Sequence, residues 1–145
     1  MQKTAIVLVD HGSRRSESNE MLEEIARSFA QRFAQQYEIV EPAHMELAEP
    51  SIATAYARCV ERGASRIVVC PFFLGPGKHW TQDIPRLTAD ASQQHPGTEY
   101  HVTAPLGIDD LILDLVNKRI TACLENDCLC DKCRGTLRSG EKPGG

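Results

Sequence analysis

Positive charge is scarce in this chain. Its 145 residues carry 16 Lys and Arg against 20 Asp and Glu, a formal net charge of −4. With no basic stripe, nucleic acid is not an expected partner. Long apolar runs are missing as well. No stretch approaches the roughly 20 residues that a membrane-spanning helix needs, so no membrane association is expected. The first residues pass directly into a strand pattern, and we expect no signal or transit segment there. No internal repeat is evident. The first loop has no Ser/Thr-rich phosphate cradle, which disfavours a flavodoxin-type flavin site. Asp10 precedes His11-Gly12 where the Arg-His-Gly nucleophile motif of histidine phosphatases has a phosphate-binding arginine, which disfavours that chemistry too. What remains is ordinary for one globular domain, 41% hydrophobic and 25% charged.

The most apolar segments are Ala5-Ile6-Val7-Leu8-Val9 and Ile67-Val68-Val69-Cys70. Continuous β-branched runs of this kind suit strands buried on both faces, hence a parallel sheet. Between and after them, helical and extended patterns alternate. Leu22, Ile25, Ala26, Phe29 and Phe33 predict a helix over residues 16–35. A second strand starts near Tyr37 and ends near residues 43–46. Ile52, Ala55, Tyr56, Cys59 and Val60 mark a second helix, with Pro50 suited to its first turn and Gly63 to its end. A third strand over residues 66–72 leads to a helix on Ile84, Leu87 and Ala91, with Asp83 as its expected N-cap. The fourth strand covers residues 99–103. A last helix over residues 109–122 has an apolar face of Ile112, Leu115, Val116 and Ile120, and acids in its first turn where the macrodipole favours them. Four such units predict an α/β fold, a flavodoxin-like open parallel sheet of about four strands in the order 2-1-3-4 with helices on both faces. Residues 1–122 form the expected folded domain. Residues 123–145 form a cysteine-bearing segment and tail, its end rich in Gly, Ser and charge.

Ligands of open α/β sheets gather beyond the carboxyl ends of the strands. Three polar residues fall there: His11 after the first strand, Glu46 after the second and His79 in the loop after the third. Neutral imidazole with carboxylate suits divalent iron, cobalt, nickel or zinc. Gly12, Gly75 and Gly77 would let backbone approach a bulky flat ligand. Ser13 is placed to cap the next helix, whose N-terminus, with Arg14 and Arg15, would attract anionic groups, as would Lys78. His44 alternates with Met45 across its strand and is expected away from the site. His95 lies in a turn, and His101 packs or is solvated.

Cys59 and Cys70 sit inside apolar patterns and read as small buried side chains. Cys123, Cys128, Cys130 and Cys133 instead follow C-x4-C-x-C-x2-C. Without a secretory signal, this spacing favours a metal or cluster site over disulfides. Zinc and [2Fe–2S] both accept four thiolates, and spacing does not choose between them.

His11-Gly12-Ser13-Arg14, Met45-Glu46-Leu47-Ala48-Glu49-Pro50-Ser51, and the segment from Pro71 to His79 followed by Asp83-Ile84-Pro85 together resemble the small class II chelatases. These are the short sirohydrochlorin ferrochelatases and cobaltochelatases, and the likeness covers about residues 4–120. The resemblance implies ATP-independent insertion of Fe2+ into sirohydrochlorin to give sirohaem, with the cobalt reaction or a non-catalytic metal or iron–sulfur protein as alternatives. It implies His11 and His79 as metal ligands and catalytic groups and Glu46 as their acidic partner; Gly12, Ser13, Arg14, Gly77 and Lys78 are then the expected substrate-binding residues. It further implies a homodimer and, from photosynthetic ferrochelatases with a C-terminal cysteine cluster, a [2Fe–2S] centre on Cys123, Cys128, Cys130 and Cys133. A cytoplasmic location is expected, or a plastid stroma after removal of a transit peptide.

Overall fold

A computed structural model of the chain describes residues 2–75 and 77–127, without the side chains of His79 and Trp80. The elements run β1 (Thr4–Asp10), α1 (Ser16–Arg32), β2 (Ile39–His44), α2 (Ile52–Glu61), β3 (Arg66–Pro71), a π-helical turn (His79–Asp83), α3 (Ile84–Gln93), β4 (Glu99–Val102) and α4 (Asp110–Glu125). Two compact units divide the chain, one ending at Gly107 and the other beginning at Ile108.

In the first unit four parallel strands form one sheet in the order β2-β1-β3-β4, the order expected from the alternating pattern. The apolar runs of β1 and β3 are the central strands, which explains why neither shows a polar face. Alternation divides their side chains between two layers. Ala5, Val7, Val9, Ile67 and Val69 pack with Ile52, Ala55, Tyr56 and Cys59 of α2 and Ile84 and Ala91 of α3. Ile6 and Leu8 face the other way, onto Leu22 and Ala26 of α1. Helices therefore cover both faces. The fully buried Tyr56 anchors the first layer: its hydroxyl shares a 2.7 Å hydrogen bond with Thr98 Oγ1, and its ring stacks on His95.

Several local expectations shift. Helix α2 begins at Ile52 because the Ser51 hydroxyl accepts from Thr54 N, so Pro50 lies just before the cap rather than in the first turn. Asp83 does not cap α3. Its backbone is already helical (φ −71°, ψ −50°) and its side chain makes no capping bond, because the π-helical turn runs straight into the helix. Gly63 does end α2, at φ +101°, a conformation L side chains rarely adopt. In the second unit Asp109 caps α4 by accepting from Leu111 N. The apolar face expected of α4 is there, but Leu115, Val116 and Ile120 are exposed and no α4 residue is buried. Among the described residues no helix is long and apolar enough to cross a membrane.

Burial in the α2 layer pushes the Cys59 thiol up from its ordinary 9.0 to about 12, desolvation first and the Glu41 charge second. A thiol that holds its proton more tightly when folded contributes stability that is complete below pH 9 and lost as the pH rises toward 12. Cys70 and Tyr56 are raised by burial in the same direction. The free energy of unfolding should therefore fall as pH rises through this window, and Cys59→Ala should fall less steeply. Urea titrations on either side of pH 9 check this, and equal slopes for both proteins would exclude Cys59 as a source.

Candidate functional site

The site grows from the pairing of β1 with β2. Their register sets Asp10 opposite His44 at the carboxyl ends. The ladder continues past both strands: Met45 N donates to Asp10 O at 2.8 Å, and Glu46 N donates to His11 O at 3.0 Å. The two chains then stay in contact through the next residue. Gly12 has φ +93°, and a Cβ built on it would overlap the Glu46 carbonyl oxygen and come within 3.2 Å of His44 Cβ. Glycine is required here so that one loop can cross the other. At Gly75 and Gly77, by contrast, an added Cβ meets nothing within 4 Å.

This backbone brings His11 and Glu46 together. Nε2 of His11 lies 3.0 Å from Glu46 Oε1, and its Nδ1 lies 3.1 Å from Gly12 O. The carbonyl can only accept, so Nδ1 carries a proton. Nε2 therefore turns to the carboxylate, and a proton or a cation between them is what makes that contact favourable. Both side chains are about half exposed, 42% and 53%, so the slot between them is open to solvent. Leu47, immediately after Glu46, is exposed and held at φ +71°. A left-handed backbone at a non-glycine residue costs on the order of 1 kcal/mol, and such strain collects at functional sites.

Ser13 and Arg14 follow on the same loop. Ser13 does not cap α1: the N-cap position belongs to Arg15, which makes no side-chain cap. The Ser13 hydroxyl accepts from Arg15 N, while Asn19 clamps the Ser13 backbone, accepting from its N–H at 3.0 Å and donating to its carbonyl at 2.7 Å. Arg14 and Lys78 are exposed. The Gly77 carbonyl accepts from both the backbone N–H and the hydroxyl of Thr81, 2.9 Å each, and so ties the loop to the π-helical turn. His79 opens that turn, a helical form that recurs at functional sites. Its side chain lies outside the described residues. Among the described residues no group of three or more His, Cys, Asp or Glu converges on a possible metal position, and the described part of the site is the His11–Glu46 pair. Cys123 stands in the last turn of α4, half-buried. Cys128, Cys130 and Cys133 lie outside the described residues.

One pair was not expected from sequence. His44 is fully buried and its Nδ1 lies 2.6 Å from Asp10 Oδ1, directly beneath the loop crossing. Strand alternation removes His44 from the Met45 face, as expected. Only the register puts it against Asp10.

Fold and pair together define a class: an open parallel α/β protein with an imidazole and a carboxylate presented at the ends of neighbouring strands. The chain belongs to the CbiX family, whose family model matches residues 5–123. It is 56% identical over 137 residues to the chloroplastic sirohydrochlorin ferrochelatase of Arabidopsis thaliana, a match covering 90% of this chain and 59% of the relative. It is 35% identical over 139 residues to the sirohydrochlorin cobaltochelatase of Methanocaldococcus jannaschii, covering 79% of this chain and 96% of the relative. The solved structure of SirB from Bacillus subtilis with Fe3+ is similar, with a TM-score of 0.77 at 28% identity over 83% of this chain and 47% of that one. The chain thus spans 59% of the Arabidopsis protein's length and 47% of the Bacillus chain's.

Proposed function

We propose that this protein inserts Fe2+ into sirohydrochlorin to give sirohaem, without ATP. The observation that carries the reading is the 3.0 Å His11–Glu46 contact at the strand ends, and its support is the 56% identity to a sirohydrochlorin ferrochelatase. Residues 1–122 act as the chelatase domain. Metal insertion needs a partly desolvated ion, removal of the inner pyrrole protons and a ring held close to the ion. His11 and His79 hold the metal and accept protons, and Glu46 supplies negative charge and assists proton removal. A site with few protein ligands leaves positions open for ring nitrogens, whereas a full protein shell would retain the ion. Sirohydrochlorin is rich in carboxylates, and Arg14 and Lys78 are exposed cations on the two loops concerned. The backbone at Gly12, Ser13 and Gly77 borders the same region. The cobaltochelatase reaction is a second reading, supported by the match to the Methanocaldococcus relative over nearly its whole length.

Residues 123–145 form a distinct segment in which Cys123, Cys128, Cys130 and Cys133 hold a [2Fe–2S] centre, with zinc as the alternative. The protein works as a homodimer. Exposed Leu111, Leu115, Val116 and Ile120 on α4 support this, since apolar side chains at such density favour a covering surface. The name of the Arabidopsis relative supports a plastid stroma over a cytoplasmic location.

The function is tested by mixing sirohydrochlorin with Fe2+ or Co2+, with and without protein, and following the absorption change. Wild type should accelerate insertion. His11→Ala, Glu46→Gln and His79→Ala should each lose on the order of a hundredfold or more, as expected when a proton-transfer group is removed, while keeping the circular dichroism of the fold. No acceleration by wild type would leave a non-catalytic metal-binding protein. For the cysteine segment, protein purified without oxygen should be brown, and Cys130→Ser should lose the thiolate-to-iron absorption. Colourless protein with stoichiometric zinc would assign the tetrahedral alternative. Sedimentation should give twice the chain mass of 16.1 kDa, and Val116→Glu should shift it toward the monomer. A wild-type monomer at all concentrations would reject the dimer.

A further inference from the structure

We propose that Asp10 and His44 form a positioning pair that sets the distance between His11 and Glu46. The inference rests on the reading of His11 and Glu46 as the working pair, and adds two residues that act through them. Asp10 immediately precedes His11, and His44 stands two residues before Glu46. The 2.6 Å contact between Asp10 Oδ1 and His44 Nδ1 therefore links the two strands just below the place where the working side chains leave them, one residue before His11 and two before Glu46. His44 is itself fixed from behind, its backbone N–H donating to Pro50 O at 2.8 Å.

A buried histidine with one nitrogen satisfied needs a reason to be kept. The His44 side chain is 0% exposed, and its Nε2 has no hydrogen-bond partner among the described residues. An orphaned polar atom in the interior is costly, since it gives up its hydrogen bonds to water without replacement. An apolar side chain of similar volume would avoid that cost and fill the same space, but it could not donate to Asp10. The ring's contribution therefore comes through Nδ1, with Nε2 the tolerated remainder. The exposed His11–Glu46 contact is too weak to fix its own geometry, because exposed ion pairs contribute little. The Asp10–His44 link, with its imidazole fully buried, supplies the rigidity the upper pair lacks.

This assigns different outcomes to two substitutions. In His44→Asn the amide nitrogen takes the place of Nδ1 and donates the same bond, the amide oxygen takes the place of Cδ2, and nothing stands at Nε2. Asp10→Ala removes the acceptor but leaves the His44 ring in the core. Misplacing catalytic groups by about 1 Å can cost on the order of a hundredfold in rate. We expect Asp10→Ala to lose roughly tenfold to a hundredfold in kcat for insertion, with KM for sirohydrochlorin little changed. His44→Asn should keep most of the wild-type kcat. Co2+ binding, followed by its d–d absorption without sirohydrochlorin, should weaken in Asp10→Ala and be kept in His44→Asn. Wild-type kcat and Co2+ affinity in Asp10→Ala would overturn the proposal. A His44→Asn protein as impaired as Asp10→Ala would also overturn it, by giving the role to Nε2. If one variant does not fold, the other decides alone. If wild type inserts no metal, the chelatase reading fails, and the Co2+ measurement still decides whether the pair positions His11 and Glu46.

Discussion

The register of β1 against β2 sets Asp10 opposite His44 and carries the ladder on through Met45 and Glu46, so one alignment of two parallel strands decides which side chains meet at the sheet's edge. Side chains alternate with a period of two, and a slip of one residue would send His44 into the α2 layer and Met45 out of it. The α2 layer opposes that slip, since it would take Ile39, Ala43 and Met45 out of the core. Gly12 extends the constraint beyond the strands. Its left-handed backbone lets the His11 loop cross the Glu46 carbonyl at a distance no side chain permits. Core packing thus reaches the functional edge through backbone geometry, with no long side chain needed to bridge the two loops.

The electrostatics at that edge follow from what surrounds His11. A carbonyl at one ring nitrogen and a carboxylate at the other are both acceptors, so the arrangement is complete only with a proton or a cation between Nε2 and Glu46. Solvent reaches both side chains, so either occupant can exchange. The proposed metal insertion calls for an exchangeable slot rather than a closed cage. Glu49, close by in sequence, is a contrast. Its carboxylate is held below its ordinary range chiefly by the Thr54 hydroxyl and then by the Ser51 amide, as part of the start of α2. Two carboxylates three residues apart thus serve different ends, and the difference lies in their donors.

Much of this was legible in the chain itself. Unbroken apolar runs identified β1 and β3 as central strands, and the alternation with helical patterns gave the sheet order, because hydrophobic periodicity is a direct consequence of burial. Placing His11 and Glu46 on one edge needed only the rule that loops after parallel strands share a rim. The departures have a common cause. Ser13 and Asp83 are good capping residues by type, but the Asn19 clamp occupies the Ser13 backbone and the π-helical turn runs through Asp83. Both outcomes depend on neighbours that local propensity does not weigh. Asp10–His44 was out of reach for a related reason: a contact between residues so far apart is set by register, and register emerges only when whole strands pack.

The two histidine–acid pairs at this edge use the same chemistry in opposite environments. In the upper pair both members are about half exposed. In the lower, the imidazole is fully buried and the acid is 23% exposed. Burial decides what each can do. An exposed pair contributes little to stability and exchanges its partners readily, which suits the proposed handling of an ion that must leave. A pair with a buried imidazole is costly to break, because a partner left behind has no water to turn to, which suits the holding of a distance. Exchanging the two environments would defeat both proposed tasks: a buried working pair could not meet a bulky ring, and an exposed link would be too weak to hold a distance. The order of the residues along each strand, acid then histidine on β1 and histidine then acid past β2, places the fixed contact under the exchangeable one.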